Sequence, residues 1–353
     1  MRKINVNTDN NNAVMHVNND ETAANYRAIN RLSYSALAEY DKNRISFYKK
    51  YILKEKEQET SNDLRMGSLV DTLKTDIENF DKEFLVCLAP KPTAQLLRFI
   101  ELVYSTRNDY ETFSPVLEFA YETLKTENGG KIRDGLAKFI ERFNTVDVKA
   151  YYEELLQAGS KTVITADEHI LALKIVDSIN NCVAFQNISE VIYKFPILFT
   201  YNGKEMKSEI DELDIDHNNK IIYIYDYKCT NFVESFLWDC FIKRKYYIQS
   251  GLYKYAVMTW ANEHYKGYKV ENLAFKVVDA INFYTPLLYK TTDAHFQQSF
   301  NGFYIGNRYC KGIDQLIAEI DLATEANNWG MSIENQQNNG IVYLPQFKNE
   351  KDN

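Results

Sequence analysis

Apolar and polar positions along this chain change from helical spacing to strand alternation and back, which predicts helices on both sides of a block of strands. The predicted helices run from Ser35 to about Thr75, Ala94 to about Phe143, Thr165 to about Asn181, Ser250 to Trp260 and Thr292 to about Ala326. The predicted strands run from about Ile188 to Thr200, Lys204 to Ile215, Lys220 to Lys228 and Leu273 to Leu288. This order predicts an α/β fold, with a mixed central β-sheet flanked by helices and a helical insertion at about 94–143.

The two ends of the 353-residue chain differ from this central part. Residues 1–30 are polar and rich in asparagine, so we expect a flexible arm there. One large domain is expected over residues 31–347, with its functional core at about 188–290. A short tail follows at 348–353.

The most concentrated candidate chemistry lies on two neighbouring predicted strands. Asp211 lies on the first strand, and Asp226 and Lys228 lie on one face of the second, with Tyr227 pointing away. Residues Ile221–Tyr225 are apolar on both faces, which is typical of a covered central strand. The acid and the lysine therefore stand at the end of a buried strand, where ligand sites of open α/β sheets gather. Solvated charges on a surface hairpin are the alternative.

Two carboxylates and an ammonium group at one sheet surface favour a bound divalent cation, because burying them without one is costly. Oxygen ligands favour Mg²⁺ or Mn²⁺, and such an ion suits phosphodiester hydrolysis. Asp211 and Asp226 would bind the metal, with the backbone carbonyl of Tyr227 as a further ligand. Lys228 would orient the attacking water or stabilise charge on the phosphate.

These residues resemble the PD-(D/E)XK nuclease superfamily, and within it the phage and prophage exonucleases of the RecE, lambda-exonuclease and RecB-like kinds. Asp211 matches the first acid, Asp226 the second acid and Lys228 the lysine. Gln249 and Tyr253 match the Q-x-x-x-Y helix of the RecB-like branch. The resemblance implies a restriction-endonuclease-like core, and that Gln249 and Tyr253 contact the scissile phosphate or hold Lys228. The alternative is an ordinary amphipathic helix with Tyr253 in the core.

Weaker motifs extend the resemblance over most of the chain. Leu32-Ser-Tyr-Ser-Ala-Leu37 looks like the opening L-S-x-S-x-L helix start of that branch. Asn328-Trp329 and Leu344-Pro345-Gln-Phe347 look like the closing segment of the RecE-like group. The similarity therefore runs from about Leu32 to Phe347.

Two positions depart from the family pattern. Asp71, in Met66-Gly-Ser-Leu-Val-Asp71, stands where relatives often carry a metal-binding histidine. An aspartate there also binds a hard cation and biases the site toward Mg²⁺; a helix-surface acid is the alternative. Glu209 stands where relatives often have arginine, and it either adds a ligand or faces solvent.

The resemblance implies a metal-dependent deoxyribonuclease, an exonuclease that resects double-stranded DNA ends for recombination. It also implies a homo-oligomer and, as a partner, a single-strand annealing protein. A structure-specific endonuclease with the same site is one alternative. A non-catalytic DNA-binding or virion-associated protein that keeps the nuclease fold is another.

The formal net charge of −8 argues against a general polyanion-binding surface, so DNA contact requires a local basic patch. Lys243, Arg244 and Lys245 form the clearest basic run, directly before the Gln249 helix. We predict that they contact backbone phosphates, with Arg65 as a further candidate. A solvated helix start is the alternative.

The five cysteines form no C-x-x-C pair and no zinc spacing, which weighs against the relatives that hold an iron–sulfur cluster. The sequence carries no signal-peptide pattern and no apolar run that could span a bilayer. We therefore expect a cytoplasmic, reduced protein with no membrane partner.

Overall fold

The computed structural model of the protein describes residues 15–16, 26, 28–55, 62–186, 190–281 and 286–344. Most of the predicted arm, the closing Pro345-Gln-Phe347 and the predicted tail lie outside the described residues. The helices, in chain order, are α1 Tyr34–Lys42, α2 Arg44–Phe47, α3 Asn62–Thr75, α4 Phe80–Glu83, α5 Ala94–Thr106, α6 Phe113–Glu127, α7 Leu136–Phe143, α8 Val146–Ala158, α9 Ala166–Asn181, α10 Tyr246–His264, α11 Asp293–Asn301, α12 Ile313–Glu325 and α13 Ile333–Gln337.

Strands and short turns of other helix types complete the described part of the chain. The strands are β1 Met15–His16, β2 Phe84–Cys87, β3 Thr162–Thr165, β4 Glu190–Tyr201, β5 Lys204–Asp216, β6 Ile221–Thr230, β7 Lys269–Val270, β8 Ala274–Asp279, β9 Leu287–Lys290, β10 Phe303–Ile305 and β11 Arg308–Cys310. Turns of π-helix span Tyr48–Ile52 and Leu237–Ile242, and 3-10 turns span Ile77–Asn79, Val183–Phe185 and Val233–Ser235.

The chain divides into two compact units, one formed by residues 1–60 with 178–353 and the other by residues 61–177. The second unit includes residues 94–143, the range predicted as a helical insertion, and extends beyond this range on both sides. This unit begins with α3, and it also contains the parallel strand pair β2–β3. That pair joins the segments before and after the range 94–143, a contact that the sequence pattern does not predict. The core of the unit is aromatic, with Phe99 packed against Phe139 and Phe143.

The first unit contains the mixed central β-sheet predicted from the sequence. The strand order is β1–β4–β5–β6–β8–β9, with β7 also paired to β6. Neighbours are antiparallel, except that β6 runs parallel to β7 and β8. The β4–β5 hairpin turns at Asn202-Gly203, whose φ angles of +47° and +75° suit this tight turn and explain the Asn-Gly pair.

Helices cover one face of this sheet and form the main hydrophobic core. Helix α10 is buried along most of its length, and it packs against β4, β5, α1 and α11. The core combines Leu37 and Tyr40 of α1 with Ile248 and Leu252 of α10 and with sheet residues such as Phe275. The prediction of an α/β fold with a mixed sheet flanked by helices is confirmed.

The predicted helix from Thr292 to about Ala326 is wrong in its middle. The structure has α11, the hairpin β10–β11 and then α12. Gly302 has φ +77° and Gly312 lies so close to the Phe300 carbonyl that a Cβ atom would clash with it. Both glycines therefore permit a close turn that a continuous helix excludes. No described helix is both long enough and apolar enough to cross a membrane.

Candidate active site

The candidate site lies where β5 and β6 separate. Their ladder ends at the pair Glu212–Tyr225, while β6 stays paired with β8 as far as Thr230. Beyond that last β5–β6 pair, the backbone N–H of Tyr227 donates to Oδ2 of Asp211 at 3.0 Å. The side chain of Asp211 thereby bridges the two strands at the point where their backbones part.

A local irregularity in β4 accompanies this separation. Lys194 has φ +49°, and the β4–β5 ladder has pairs on both sides of it but none between Lys194 and Asp211. Ile210 and Leu213 both belong to the main core, so strict side-chain alternation is broken between them. Lys194 Nζ lies 3.7 Å from Oδ1 of Asp211. The sequence pattern gave no signal of this interruption.

Asp226 is the central side chain of the site, and it is held from two sides. Gln249 Nε2 donates to its Oδ1 at 2.6 Å, and Lys228 forms an ion pair with its Oδ2. The side chain of Asp226 is only 1% exposed, whereas that of Lys228 is 18% exposed. Helix α10 begins at Tyr246, after Lys245 in the left-handed conformation, so Gln249 lies in its first turn. The helix start thus presents the amide of Gln249 to β6.

Burial dominates the electrostatics of the acid–lysine pair. Burial raises the pKa of Asp226 to about 7; Lys228 opposes this shift and Asp211 adds to it. Burial alone lowers the pKa of Lys228, but the charges of Asp226 and Asp211 outweigh it and raise the pKa above its ordinary value. Lys228 is therefore protonated at neutral pH. Because Asp211 and Asp226 lie close together, ionisation of one carboxyl group disfavours ionisation of the other.

The donor set fits a hard cation that keeps some of its water. Mg²⁺ is commonly bound by one or two carboxylates together with water and substrate phosphate oxygens, and Asp211 and Asp226 supply two carboxylates. Within the described residues, Ser208 Oγ and Gln249 Oε1 are buried without a hydrogen-bond partner, and both can accept from water around an ion. The same part of the chain holds no cluster of three or more His, Cys, Asp or Glu side chains that could bind a metal. The role of the Tyr227 carbonyl stays a prediction.

A cavity of about 400 Å³ opens beside Asp211. Its lining residues are Tyr26, Ser33, Tyr34, Ser35, Lys50, Tyr51, Lys207, Ser208, Glu209, Asp211 and Tyr253. Tyr253 therefore contributes to the cavity wall as well as packing against the core. Burial raises the pKa of its hydroxyl well above the usual value, with Asp226 and Asp211 adding to the shift, so the hydroxyl is a neutral donor. Glu209 also lines the cavity, beside Asp211.

Two tyrosines near Lys228 were not singled out from the sequence. Lys228 Nζ lies 4.7 Å from the centre of the Tyr246 ring, and that ring meets Tyr34 edge-on at 5.9 Å. The hydroxyl of Tyr34 donates to the backbone carbonyl of Arg244 at 2.5 Å. The one sequence feature that could have indicated a role for Tyr246 is its position between the basic run and Gln249.

The remaining predicted residues lie in different surroundings. Asp71 and Arg65 are on α3 of the helical unit. Thr75 Oγ1 donates to the backbone carbonyl of Asp71 at 2.8 Å and lies 3.3 Å from its Oδ1, and Arg65 forms an ion pair with Glu168. The metal-binding role of Asp71 and the DNA-binding role of Arg65 stay predictions.

The three cations of the basic run differ from one another. Lys243 and Arg244 are exposed, whereas Lys245 is partly buried and forms an ion pair with Asp41. Burial, with Arg308 next in effect, lowers the pKa of Lys245 to about 8. The phosphate-binding role of the run stays a prediction, and Lys243 and Arg244 are its accessible part.

Comparison with known proteins adds little to this geometry. No protein-family model matches the chain, and the search of curated proteins found no match. A crystal structure described as that of a "putative exonuclease" from Eubacterium rectale is similar at 12% identity, with a TM-score of 0.46. The similarity covers 92% of this chain and 96% of that one. At this level it carries no argument about function, which therefore depends on the residues of the site.

Proposed function

We propose that the protein is a metal-dependent deoxyribonuclease. One observation carries the proposal: Asp211, Asp226 and Lys228 converge where β5 and β6 separate, and Gln249 fixes the buried carboxylate. Such a cluster of buried charge has a desolvation cost, and groups with strongly perturbed pKa values gather at functional sites, so the cluster favours a role in binding or chemistry. Two carboxylates beside a lysine match the needs of phosphodiester hydrolysis.

Each side chain of the site has a separate role in the proposed reaction. Asp211 and Asp226 would hold Mg²⁺ or Mn²⁺, which lowers the pKa of a coordinated water and polarises the phosphoryl oxygen. Gln249 keeps the Asp226 carboxylate in one orientation through its 2.6 Å hydrogen bond. The ammonium group of Lys228 orients the attacking water and offsets negative charge that develops on the phosphate. The neutral hydroxyl of Tyr253, which lines the cavity, would donate to a phosphate oxygen there.

The finer assignment is an exonuclease that resects duplex ends for recombination. It is supported by the resemblance of the Asp211, Asp226–Lys228 and Gln249–Tyr253 motifs to the RecE and lambda-exonuclease group. The same resemblance supports action as a homo-oligomer, with a single-strand annealing protein as partner. Asp71 is included in this proposal as a third acidic ligand.

The test compares linear and circular duplex DNA, each with Mg²⁺, with Mn²⁺ or with EDTA. We expect loss of the linear form only, in either metal, and no loss in EDTA. Cleavage of the circular form assigns an endonuclease. DNA binding without any cleavage assigns a non-catalytic DNA-binding protein.

The variant Asp226→Asn ties the activity to this site. It removes the charge of the carboxylate and keeps its shape, so we expect a folded protein without turnover. Asp321→Asn is the matched control, because that acid pairs with Lys204 on the surface of the same unit. Full turnover in Asp226→Asn would place the reaction elsewhere.

A further inference from the structure

Trp238 is an exposed indole on the segment that follows β6, the strand that carries Asp226 and Lys228. It lies on the π-helical turn Leu237–Ile242 and is 58% exposed, whereas the other two tryptophans, Trp260 and Trp329, are buried. Phe232 and Leu237 beside it in sequence are also exposed. Tryptophan is a large apolar side chain that is well buried on average, and π-helical turns are frequent at functional sites. The position therefore favours a ligand that covers the ring.

Exposed cations accompany this ring. The backbone N–H of Lys243 donates to the carbonyl of Trp238 at 3.1 Å, which places the two residues one π turn apart. Lys243 and the next residue, Arg244, are exposed. Within the described part of the chain, Lys243 has no ion-pair partner. In a protein with net charge −8, these cations and the indole form a local surface suited to a ligand with phosphates and flat rings.

A series of contacts connects the backbone of this segment with the candidate active site. The backbone carbonyl of Arg244 accepts a hydrogen bond from the hydroxyl of Tyr34, and the ring of Tyr34 contacts the ring of Tyr246. The Tyr246 ring in turn lies against the ammonium group of Lys228. Two aromatic rings thus separate the basic residues from the reacting lysine. These contacts link the segment that carries Trp238, Lys243 and Arg244 to the site.

We propose that Trp238, Lys243 and Arg244 bind an unpaired DNA strand beside the active site. The indole stacks on a base, and the two cations contact the neighbouring phosphates. An unpaired strand is favoured over intact duplex because the faces of paired bases are covered by their neighbours, whereas single strands offer each base for stacking. The inference extends the proposed nuclease function, since resection of a duplex end leaves such a strand. DNA binding itself is measured independently of cleavage.

The test uses the full-length protein in EDTA, so that binding is observed without hydrolysis. Affinity for oligothymidylate and for a blunt duplex is measured by fluorescence anisotropy. We expect Trp238→Ala to weaken binding of the single strand by roughly five- to a hundredfold, the range for loss of one stacked base, and to leave duplex binding nearly unchanged. Trp238→Phe should recover most of the affinity, because it retains an aromatic face.

Intrinsic fluorescence gives a second readout of the same contact. Since Trp260 and Trp329 are buried, quenching by acrylamide reports mainly on Trp238, and bound oligothymidylate should protect it. Tyr304→Ala is the matched control, because Tyr304 is an exposed aromatic residue of the same unit outside this surface. Equal losses in Trp238→Ala and Tyr304→Ala, or equal losses for single and double strands, would overturn the proposal. Stacking without any cleavage in Mg²⁺ would instead overturn only the nuclease function.

Discussion

At the residue scale, the site depends on one carboxyl group that is buried among charges. Burial raises the pKa of Asp226 to about 7, while an aspartate in an unfolded chain titrates near 3.9. Between these values the unfolded state binds fewer protons than the folded state, so this residue makes stability fall as pH rises from about 4 to about 7. We expect a loss on the order of a few kcal/mol in metal-free protein, measured by urea unfolding in EDTA.

The contribution of Asp226 is isolated by its amide variant. Asp226→Asn cannot titrate, so the stability difference between variant and wild type should grow in favour of the variant across the same pH range. Added Mg²⁺ at pH 8 should stabilise the wild type and have little effect on the variant, because a ligand stabilises only the state that binds it. A constant difference across the pH range would contradict the burial of an ionisable group at this position.

Asp71 is tested by its effect on the metal requirement. If its carboxylate binds the ion, Asp71→Ala should raise the Mg²⁺ concentration that gives half-maximal cleavage. Asp71→His should shift the preference toward Mn²⁺, because imidazole is the softer ligand. Thr75→Val is the control, since it removes the hydrogen bond to Asp71 and keeps the carboxylate. Unchanged metal titrations in both Asp71 variants would make it a structural acid of α3.

The sequence predicts the shared face of Asp226 and Lys228, but it does not predict the contacts that join distant parts of the chain. Side-chain alternation was sufficient to place Asp226 and Lys228 on one face, because it is a property of a single strand. The ion pair of Lys245 with Asp41 joins residues 204 positions apart, and no local pattern predicts such a contact. The same limit applies to the contact of Lys228 with the Tyr246 ring.

At the element scale, a second buried ion pair lies next to the site residues in sequence. Lys276 Nζ is 2.6 Å from Oε1 of Glu212, and the hydroxyl of Tyr227 also donates to Glu212. Burial, with Glu212 alongside, raises the pKa of that hydroxyl. Glu212 follows Asp211, and Tyr227 separates Asp226 from Lys228, so this cluster holds β5 to β6 and β8 where the site residues begin.

Breaking this pair should destabilise the sheet strongly. Lys276→Met leaves Glu212 as a buried charge without its cation, and we expect unfolding free energy to fall by about 3–5 kcal/mol in urea. The double variant Lys276→Met/Glu212→Leu should recover much of the loss, because no unpaired charge remains. Equal destabilisation in the single and double variants would show that packing, rather than charge pairing, sets the effect.

Element boundaries were predictable where the pattern was long and regular. The strands β4, β5 and β6 lie within a few residues of their predicted bounds. Helix α10 begins four residues before the predicted Ser250, because Lys245 adopts φ +61° and so turns the chain directly into the helix. The hairpin β10–β11 was read as helix, since three-residue strands show no periodicity distinguishable from that of their helical neighbours.

At the scale of the whole molecule, the charge distribution determines which cations of the basic run are accessible to a ligand. The basic run was predicted as one surface, but Lys245 is occupied by Asp41 and partly buried. Lys243 and Arg244 are exposed on a protein of net charge −8. We therefore expect the run to divide into two residues that bind phosphate and one that stabilises the fold.

Salt dependence of DNA binding measures this division directly. Each phosphate contact on single-stranded DNA contributes a slope of about −0.7 in log K against log salt, so Lys243→Gln/Arg244→Gln should reduce the slope magnitude for oligothymidylate by up to about 1.4. The melting temperature of this double variant should barely change, because exposed charges contribute little to stability. Lys245→Gln should leave the slope unchanged and lower the melting temperature, since Asp41 loses its nearer cation and keeps only Lys311, at 3.9 Å. Lys266→Gln/Lys290→Gln removes the same charge from exposed positions elsewhere, and an equal loss of slope in that control would mean that net charge alone sets the affinity.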